Sequence, residues 1–455
     1  MLLASLLPPF AGGLGCGGKG AVVDANGHDA GIDVDTVDSD TSGDVVRIDS
    51  TPGSDAASSP TGCSPFPAPS GATVSVTAGM NLVSVVAAAP AGATILLADG
   101  TYALGGAIVQ IRSAGITLRS ASGDATKVII DGAYTSPEVI AISASDVTLA
   151  ELTITHAVDH PVHVYPNDAG PNVTGTLLYA VRLIDNGEQF LKVNPNSGRS
   201  FYVDTGRVEC SLFQMTAAGR SHIETLNGTS CYTGGIDVHG GRGWIVRQNR
   251  FEGIYCTDGK LAEHAIHFWN GARDTLVENN IIVNCARGIG YGLIESGEMR
   301  VYADNPYPGV GYIGHFDGIV RNNFIFADVP AFDTGVELAQ AQGTKVFHNT
   351  IYSGPQATGF YSSIDTRFTH SMVDLRNNLV QRITMRDGAI VTSSNNKDSV
   401  PATYFRDPAG GDLHLLPTAT DAIDKGIGLP EAGLDIDGEP HTSGAAPDVG
   451  ADELR

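Results

Sequence analysis

Gly235-Ile236-Asp237-Val238-His239-Gly240-Gly241-Arg242-Gly243-Trp244-Ile245-Val246-Arg247-Gln248-Asn249-Arg250-Phe251 contains a short alternating strand, a glycine turn, a second strand, and an asparagine shortly before an aromatic. The same unit recurs. Ala265-Ile266-His267-Phe268-Trp269-Asn270-Gly271 runs into Thr275-Leu276-Val277-Glu278-Asn279-Asn280-Ile281-Ile282, and Gly335-Val336-Glu337-Leu338 runs into Thr344-Lys345-Val346-Phe347-His348-Asn349-Thr350-Ile351. Gly318–Ile325 and Val373–Val380 carry the second half alone. Short strands recurring at a period of about 25 to 45 residues predict a solenoid. Asn249, Asn280, Asn323, Asn349 and Asn378 close the unit. They are expected to stack as an internal ladder that bonds turn backbone, a structural role.

Composition agrees with an all-β chain. The protein has 455 residues, 56 of them glycine, and 17% are charged. No helical periodicity dominates, and turn residues fill the gaps between apolar runs. The formal net charge of −23 argues against nucleic acid or anionic lipid as the main partner.

Residues 1–16 read as a secretion signal. Met1-Leu2-Leu3-Ala4-Ser5-Leu6-Leu7 and Gly13-Leu14-Gly15-Cys16 resemble a lipoprotein signal that leaves a lipid on Cys16, without a basic leading segment and with Gly13 where leucine is usual. An ordinary cleaved signal with a stray cysteine is the alternative. Residues 17–70 are rich in Asp, Gly, Ser and Pro, and Asp24, Asp29, Asp33 and Asp35 open a run of aspartates. Such a stretch buries too little to offset its ordering entropy and reads as a disordered, self-repelling tether.

Asn81–Tyr102 reads as a short amphipathic helix, a Pro-Ala-Gly turn and a strand. It resembles the N-terminal cap of right-handed parallel β-helix proteins, where a helix covers the open end of the coil. Asp421–Gly426, Asp435–Pro440 and Pro447–Glu453 resemble a tail that closes many secreted bacterial proteins of this superfamily. The resemblance covers roughly residues 72–453 of the sequence. It implies an all-β, single-stranded right-handed parallel β-helix over 71–400, with an N-terminal helix cap and an irregular closing segment over 401–455. The superfamily includes polysaccharide lyases, glycoside hydrolases, uronan epimerases and phage tailspikes, so the fold alone does not assign an activity.

Two insertions break the period, at residues 195–232 and 294–317. The second carries Tyr302, Tyr307, Tyr312 and Phe316, which either stack on sugars or pack under their own loop. Cys256 and Cys285 occupy similar places one repeat apart and are expected to form a bridge or an unbonded buried stack. Cys210 and Cys231 would close the first insertion.

Aligning the repeats superposes Val162-His163-Val164-Tyr165, Leu191-Lys192-Val193-Asn194, Ile236-Asp237-Val238-His239, Ile266-His267-Phe268-Trp269 and Val336-Glu337-Leu338-Ala339. Apolar members face the core, so alternate residues face out. One outward column reads His163, Lys192, Asp237, His267, then Gly290 and Glu337; its neighbour reads Tyr165, Asn194, His239, Trp269. An exposed groove is expected here, with acid/base groups beside a sugar-stacking ring. Lys192, Asp237, His239, His267 and Arg273 are the candidate catalytic residues; Tyr165, Asn194, Trp269, Arg287 and Glu337 are the candidate substrate contacts.

Three functions fit this face. A lyase on an anionic polysaccharide needs a base for the C5 proton and a cation on the uronate carboxylate. Lys192 or His267 would be the base, His239 the second acid/base group, and Arg273 or Arg287 the clamp. A hydrolase needs two carboxylates, and Asp237 and Glu337 are the only acids in the column; uronan epimerisation belongs with this alternative. The third function is glycan binding or a surface structural role without turnover. No ligand spacing fixes a metal, although Asp237, His239 and His267 would suit one, and a divalent cation such as calcium is the cofactor the lyase reading admits. The expected partner is a polysaccharide, and the expected state is a monomer outside the cytoplasm.

Overall fold

The computed structural model describes residues 63–226 and 231–455. The expected signal, the lipid on Cys16 and most of the expected tether lie outside these residues. Among them, three parallel sheets of fourteen, ten and nine strands wrap one core. Most turns of the chain add one strand to each sheet, and two add a second short strand, Ala272–Arg273 or His315–Phe316, to the largest, so pairing is between coils: Ile236 lies on Ile266, Asp237 on His267 and His239 on Trp269. The chain folds as a single right-handed parallel β-helix.

The repeats form strands because their apolar residues alternate. Leu191, Val193, Ile236, Val238, Ile266 and Phe268 are fully buried. A slip of one residue would exchange them with the charged column, which pins the register. The asparagines form the expected ladder. Asn249 Nδ2 donates to Asn280 Oδ1 at 2.9 Å, Asn280 to Asn323 at 3.0 Å, Asn323 to Asn349 at 2.9 Å and Asn349 to Asn378 at 3.0 Å. Asn396 continues it, accepting from Asn378 at 2.8 Å. The residue before each of these six rungs (Gln248, Asn279, Asn322, His348, Asn377 and Asn395) is left-handed. Each such turn redirects the chain between sheets and leaves backbone groups that the buried amide satisfies.

The helix Leu82–Ala88 caps the open end. Asn81 Oδ1 accepts from Ser84 N at 2.9 Å, and Leu82 and Val86 are buried. After the last coil, Phe405–Asp407 and Asp412–Leu415 form an antiparallel pair on the outer face of the nine-stranded sheet, where Phe405, Leu413 and Leu415 pack with Phe324 and Phe326. The chain then runs back along the flank. Asn377 donates to Ile427 O, Arg321 to Glu431 O, and Asn322 to Ala432 O.

Two expectations are corrected, and one open alternative is decided. First, the end of the stretch read as a tether is held against the coil. Tyr179 donates to Ser64 O, and the Phe66 ring lies 5.3 Å from that of Tyr179. Second, the bridges are Cys63–Cys210 and Cys231–Cys256, leaving Cys285 as a buried thiol whose pKa burial pushes up to about 12. Residues 63–66 bring Cys63 to the left-handed turn at Cys210, and the helix Ala217–Leu226 carries the chain from that coil to Cys231, 5.8 Å by Cα from Cys256. Neither path is visible in repeat spacing. Third, the aromatic insertion packs largely on itself. Tyr302 and Phe316 are buried together with Ile313, and Tyr302 donates to Gly271 O at 2.8 Å.

Candidate active site

The ten-stranded sheet carries the charged column on its outer face. Pairing along it sets His163 on Lys192, Lys192 on Asp237, Asp237 on His267, His267 on Gly290 and Gly290 on Glu337. The long insertion before Asp237 adds no extra turn at this face.

Asp237 is the hub. Its Oδ2 accepts from Lys192 Nζ at 2.5 Å and from His239 Nε2 at 3.1 Å. Its Oδ1 accepts from Trp269 Nε1 at 2.9 Å and lies 3.4 Å from His267 Nδ1. Burial pushes its carboxyl up, but Lys192 and His239 outweigh this and hold it well below the usual range. Burial opposes the charge of Lys192, and Asp237 reverses that, so the ammonium titrates above an ordinary lysine.

The expected groove is not open. Lys192, Asp237 and His267 are 9%, 4% and 2% exposed, while His239 and Trp269 are half-buried and form the solvent edge. Coverage comes from neighbouring rings: Trp269 lies 4.6 Å from His239 and 5.4 Å from His267. Two hollows lie elsewhere, one beside the cap helix at Tyr102 and one between His348 and the tail.

His239 is bracketed by opposite partners. Its Nε2 faces Asp237, and Asn270 Nδ2 donates to its Nδ1 at 3.2 Å. The proton therefore sits on Nε2 and the lone pair on Nδ1. Burial lowers its pKa, so the ring is neutral near pH 7. Tyr312 of the insertion reaches this rim, with its hydroxyl 3.5 Å from Asn270 Oδ1.

Tyr165 and Asn194 lie on the earlier coils. Asn194 Nδ2 donates to His163 Nε2 at 3.2 Å, and the Tyr165 ring is 4.6 Å from that of His163. Glu337 lies at the other end. It accepts from His264 Nε2 at 3.0 Å and from Arg367, and Arg287 Nη1 stands 4.0 Å away. Arg273 does not join the group. It lies on the fourteen-stranded sheet, held by Asp304 and Asp274 and facing the Tyr302 ring. The turn after Trp269 carries the chain off the ten-stranded sheet, so closeness in sequence is not closeness on the face.

His264 and Glu263 were missed because strict alternation puts His264 inside. The strand His264–Trp269 breaks that alternation: Ala265 and Ile266 are both core residues, and pairing steps from His264–Arg287 to Ile266–Ile289. His264 thus turns outward, and its ring lies over Gly290, where a Cβ would come within 2.7 Å of it. Gln189, Gly234 and Arg287 open their strands in the same way. Adjacent alanine or glycine at 235, 265 and 288 is the only sequence signal of this kink.

No family model and no curated protein matches the chain. Solved structures do. Pectate lyase Pel9A matches with a TM-score of 0.53 at 15% identity, over 85% of this chain and 97% of that one. Its likeness shows the fold. An alginate lyase from Paenibacillus sp. str. FPU-7 matches with a TM-score of 0.45 at 14% identity over 71% of this chain and 99% of that one. A rhamnogalacturonan lyase matches with a TM-score of 0.44 at 14% identity over 77% and 97%.

Proposed function

We propose that this is an extracytoplasmic, carbohydrate-active β-helix protein that cleaves an anionic polysaccharide by β-elimination at the outer face of the ten-stranded sheet. The observation that carries the reading is His239: an imidazole whose tautomer is fixed by Asp237 and whose Nδ1 lone pair, held in the free protein by the Asn270 amide at 3.2 Å, lies at the half-buried rim beside Trp269. The pectate lyase likeness in fold agrees with it, and two disulfides suit an oxidising compartment.

In this reading bound substrate displaces the Asn270 amide from His239 Nδ1, which then takes the C5 proton of a uronate. The C5–H electrons become the C4=C5 double bond, the C4–O bond breaks, and the leaving oxygen is protonated by solvent or a neighbouring acid. Lys192 offsets the charge that grows on the carboxylate and its α-carbon, Trp269 and Tyr165 stack on sugar rings, and Arg287 marks the far end. This reassigns the base from Lys192 or His267, because Lys192 holds its proton against Asp237. Hydrolysis fits less well: Asp237 and Glu337 are both engaged by cations and histidines. Glycan binding without turnover is favoured by one observation, the low exposure of Lys192 and Asp237.

The test is to incubate the protein with uronate-containing and neutral polysaccharides. Ultraviolet absorbance from an unsaturated uronate, lost in His239→Ala, is the expected result. Reducing ends without absorbance would show hydrolysis, and saturable binding without either product would show a binding protein.

A further inference from the structure

Glu263, His264 and His267 each turn one potential metal-ligand atom towards the others, all within 4.8 Å, and all three residues are buried. Two features distinguish this group from an ordinary hydrogen-bonded cluster. The first is an orphan. His264 is 1% exposed, yet its Nδ1 has no hydrogen-bond partner and points to Glu263 Oε2, 4.0 Å away. An unpaired buried nitrogen is costly unless something occupies its lone pair.

The second is the way both rings are anchored. His264 Nε2 lies 3.0 Å from Glu337 Oε2, and His267 Nε2 lies 3.1 Å from Gly292 O. Each acceptor holds an N–H on Nε2; this leaves His264 Nδ1 free to ligate, while His267 Nδ1 faces Asp237 Oδ1 at 3.4 Å and gives up that contact when it ligates. Carboxylate and carbonyl acceptors behind the outer nitrogens are the usual support of metal-bound histidines. Glycine at 290 permits the His264–Glu337 contact, since a side chain there would strike the ring. The histidine rings lie 4.5 Å apart at 32°, and the potential ligand atoms of the three residues already lie within 4.8 Å of one another.

We propose that Glu263, His264 and His267 bind one zinc-class divalent cation, with Glu337 and Gly292 as the outer support. Two imidazoles and a carboxylate suit zinc and its first-row neighbours, not calcium or magnesium, which take oxygen ligands. Three protein ligands leave a fourth position for water or an anionic oxygen. A cation held by His267 would keep a positive charge beside Asp237, whose Oδ1 lies 3.4 Å from His267 Nδ1. The set differs from Asp237, His239 and His267, the one the sequence suggested. There Asp237 is already occupied by Lys192 and Trp269. The inference concerns binding and holds whether or not the protein turns over a polysaccharide.

The test titrates the chelator-treated full chain with Zn²⁺ by calorimetry, and with Co²⁺ by visible absorbance. One metal per chain is expected, with Co²⁺ bands of low-coordinate imidazole ligation. Glu263→Gln and His264→Ala should each weaken Zn²⁺ binding by at least about tenfold, and Glu337→Gln by about tenfold through the support shell. His414→Ala removes the separate His414, Asp437 and Asp452 group and should change nothing. Circular dichroism monitors the fold; if His264→Ala fails to fold, the isosteric Glu263→Gln decides alone. Absence of Zn²⁺ binding by the folded wild type would overturn the proposal. So would equal affinity in Glu263→Gln, or loss of binding in His414→Ala.

Discussion

His163 and His239 sit two coils apart on the same sheet and are built alike. Each lies between a carboxylate and an asparagine amide: Glu138 and Asn194 for His163, Asp237 and Asn270 for His239. Each has an aromatic ring at 4.6 Å, Tyr165 or Trp269. The difference is the carboxylate's company. Glu138 has one close side-chain partner, His163, whereas Asp237 also serves Lys192, His267 and Trp269. A repeated strand geometry thus produces recurring histidine–carboxylate pairs. What singles out one of them is the Lys192 ammonium, together with the His267 and Trp269 rings gathered on the same carboxylate.

Acid is the broadest way to probe the imidazoles on and around this sheet. Burial lowers His160, His315 and His348 to about 3, and lowers His239 as well. A folded pKa below the unfolded 6.5 means stability that is complete above pH 6.5 and is lost as the pH falls towards 3. His160, His315 and His348 should each cost roughly 1–2 kcal/mol by pH 5. Denaturant midpoints at pH 7.5 and 5 should differ by several kcal/mol in total; equal midpoints would show that these rings are not held neutral.

At fixed pH, Asp237→Ala should cost about 3–5 kcal/mol, because it strands the buried Lys192 ammonium. Glu138→Ala, at a partly exposed pair, should cost about 1 kcal/mol or less. Equal losses in chemical unfolding would erase the distinction between the two sets. On a substrate found by the polysaccharide screen, His239→Ala should lower turnover by on the order of a hundredfold, and His163→Ala should leave it within about threefold. If His163→Ala is the more damaging, the chemistry lies two coils earlier. The smallest effect is expected of Trp269→Ala: KM raised about tenfold with kcat little changed, the size of one lost aromatic contact.

The sequence showed the register most clearly, because Ile236, Val238, Ile266 and Phe268 leave one way to bury them. Asn249 through Asn378 were equally legible, since each follows a strand by the same step. Arg273 was misplaced because its strand belongs to another sheet, and the turn that takes it there looks like any other Asn-Gly. His264 was lost to a kink at Ala265 that no polar pattern marks. The cysteines failed for a different reason: Cys63 reaches Cys210 across 147 residues, and repeat spacing carries no information about a segment outside the repeat.

That bridge also has a mechanical consequence. Residues 64–67 run from Cys63 past Tyr179, Glu151 and Arg119 before the first strand, Thr73–Val76, begins. A pull on the chain upstream of Cys63 is therefore delivered covalently to Cys210, inside the coil. The cap helix and the first turns hang off that point unloaded. A solenoid loaded at its tip can be unzipped one coil at a time, whereas one gripped at its flank must be sheared across many strands at once.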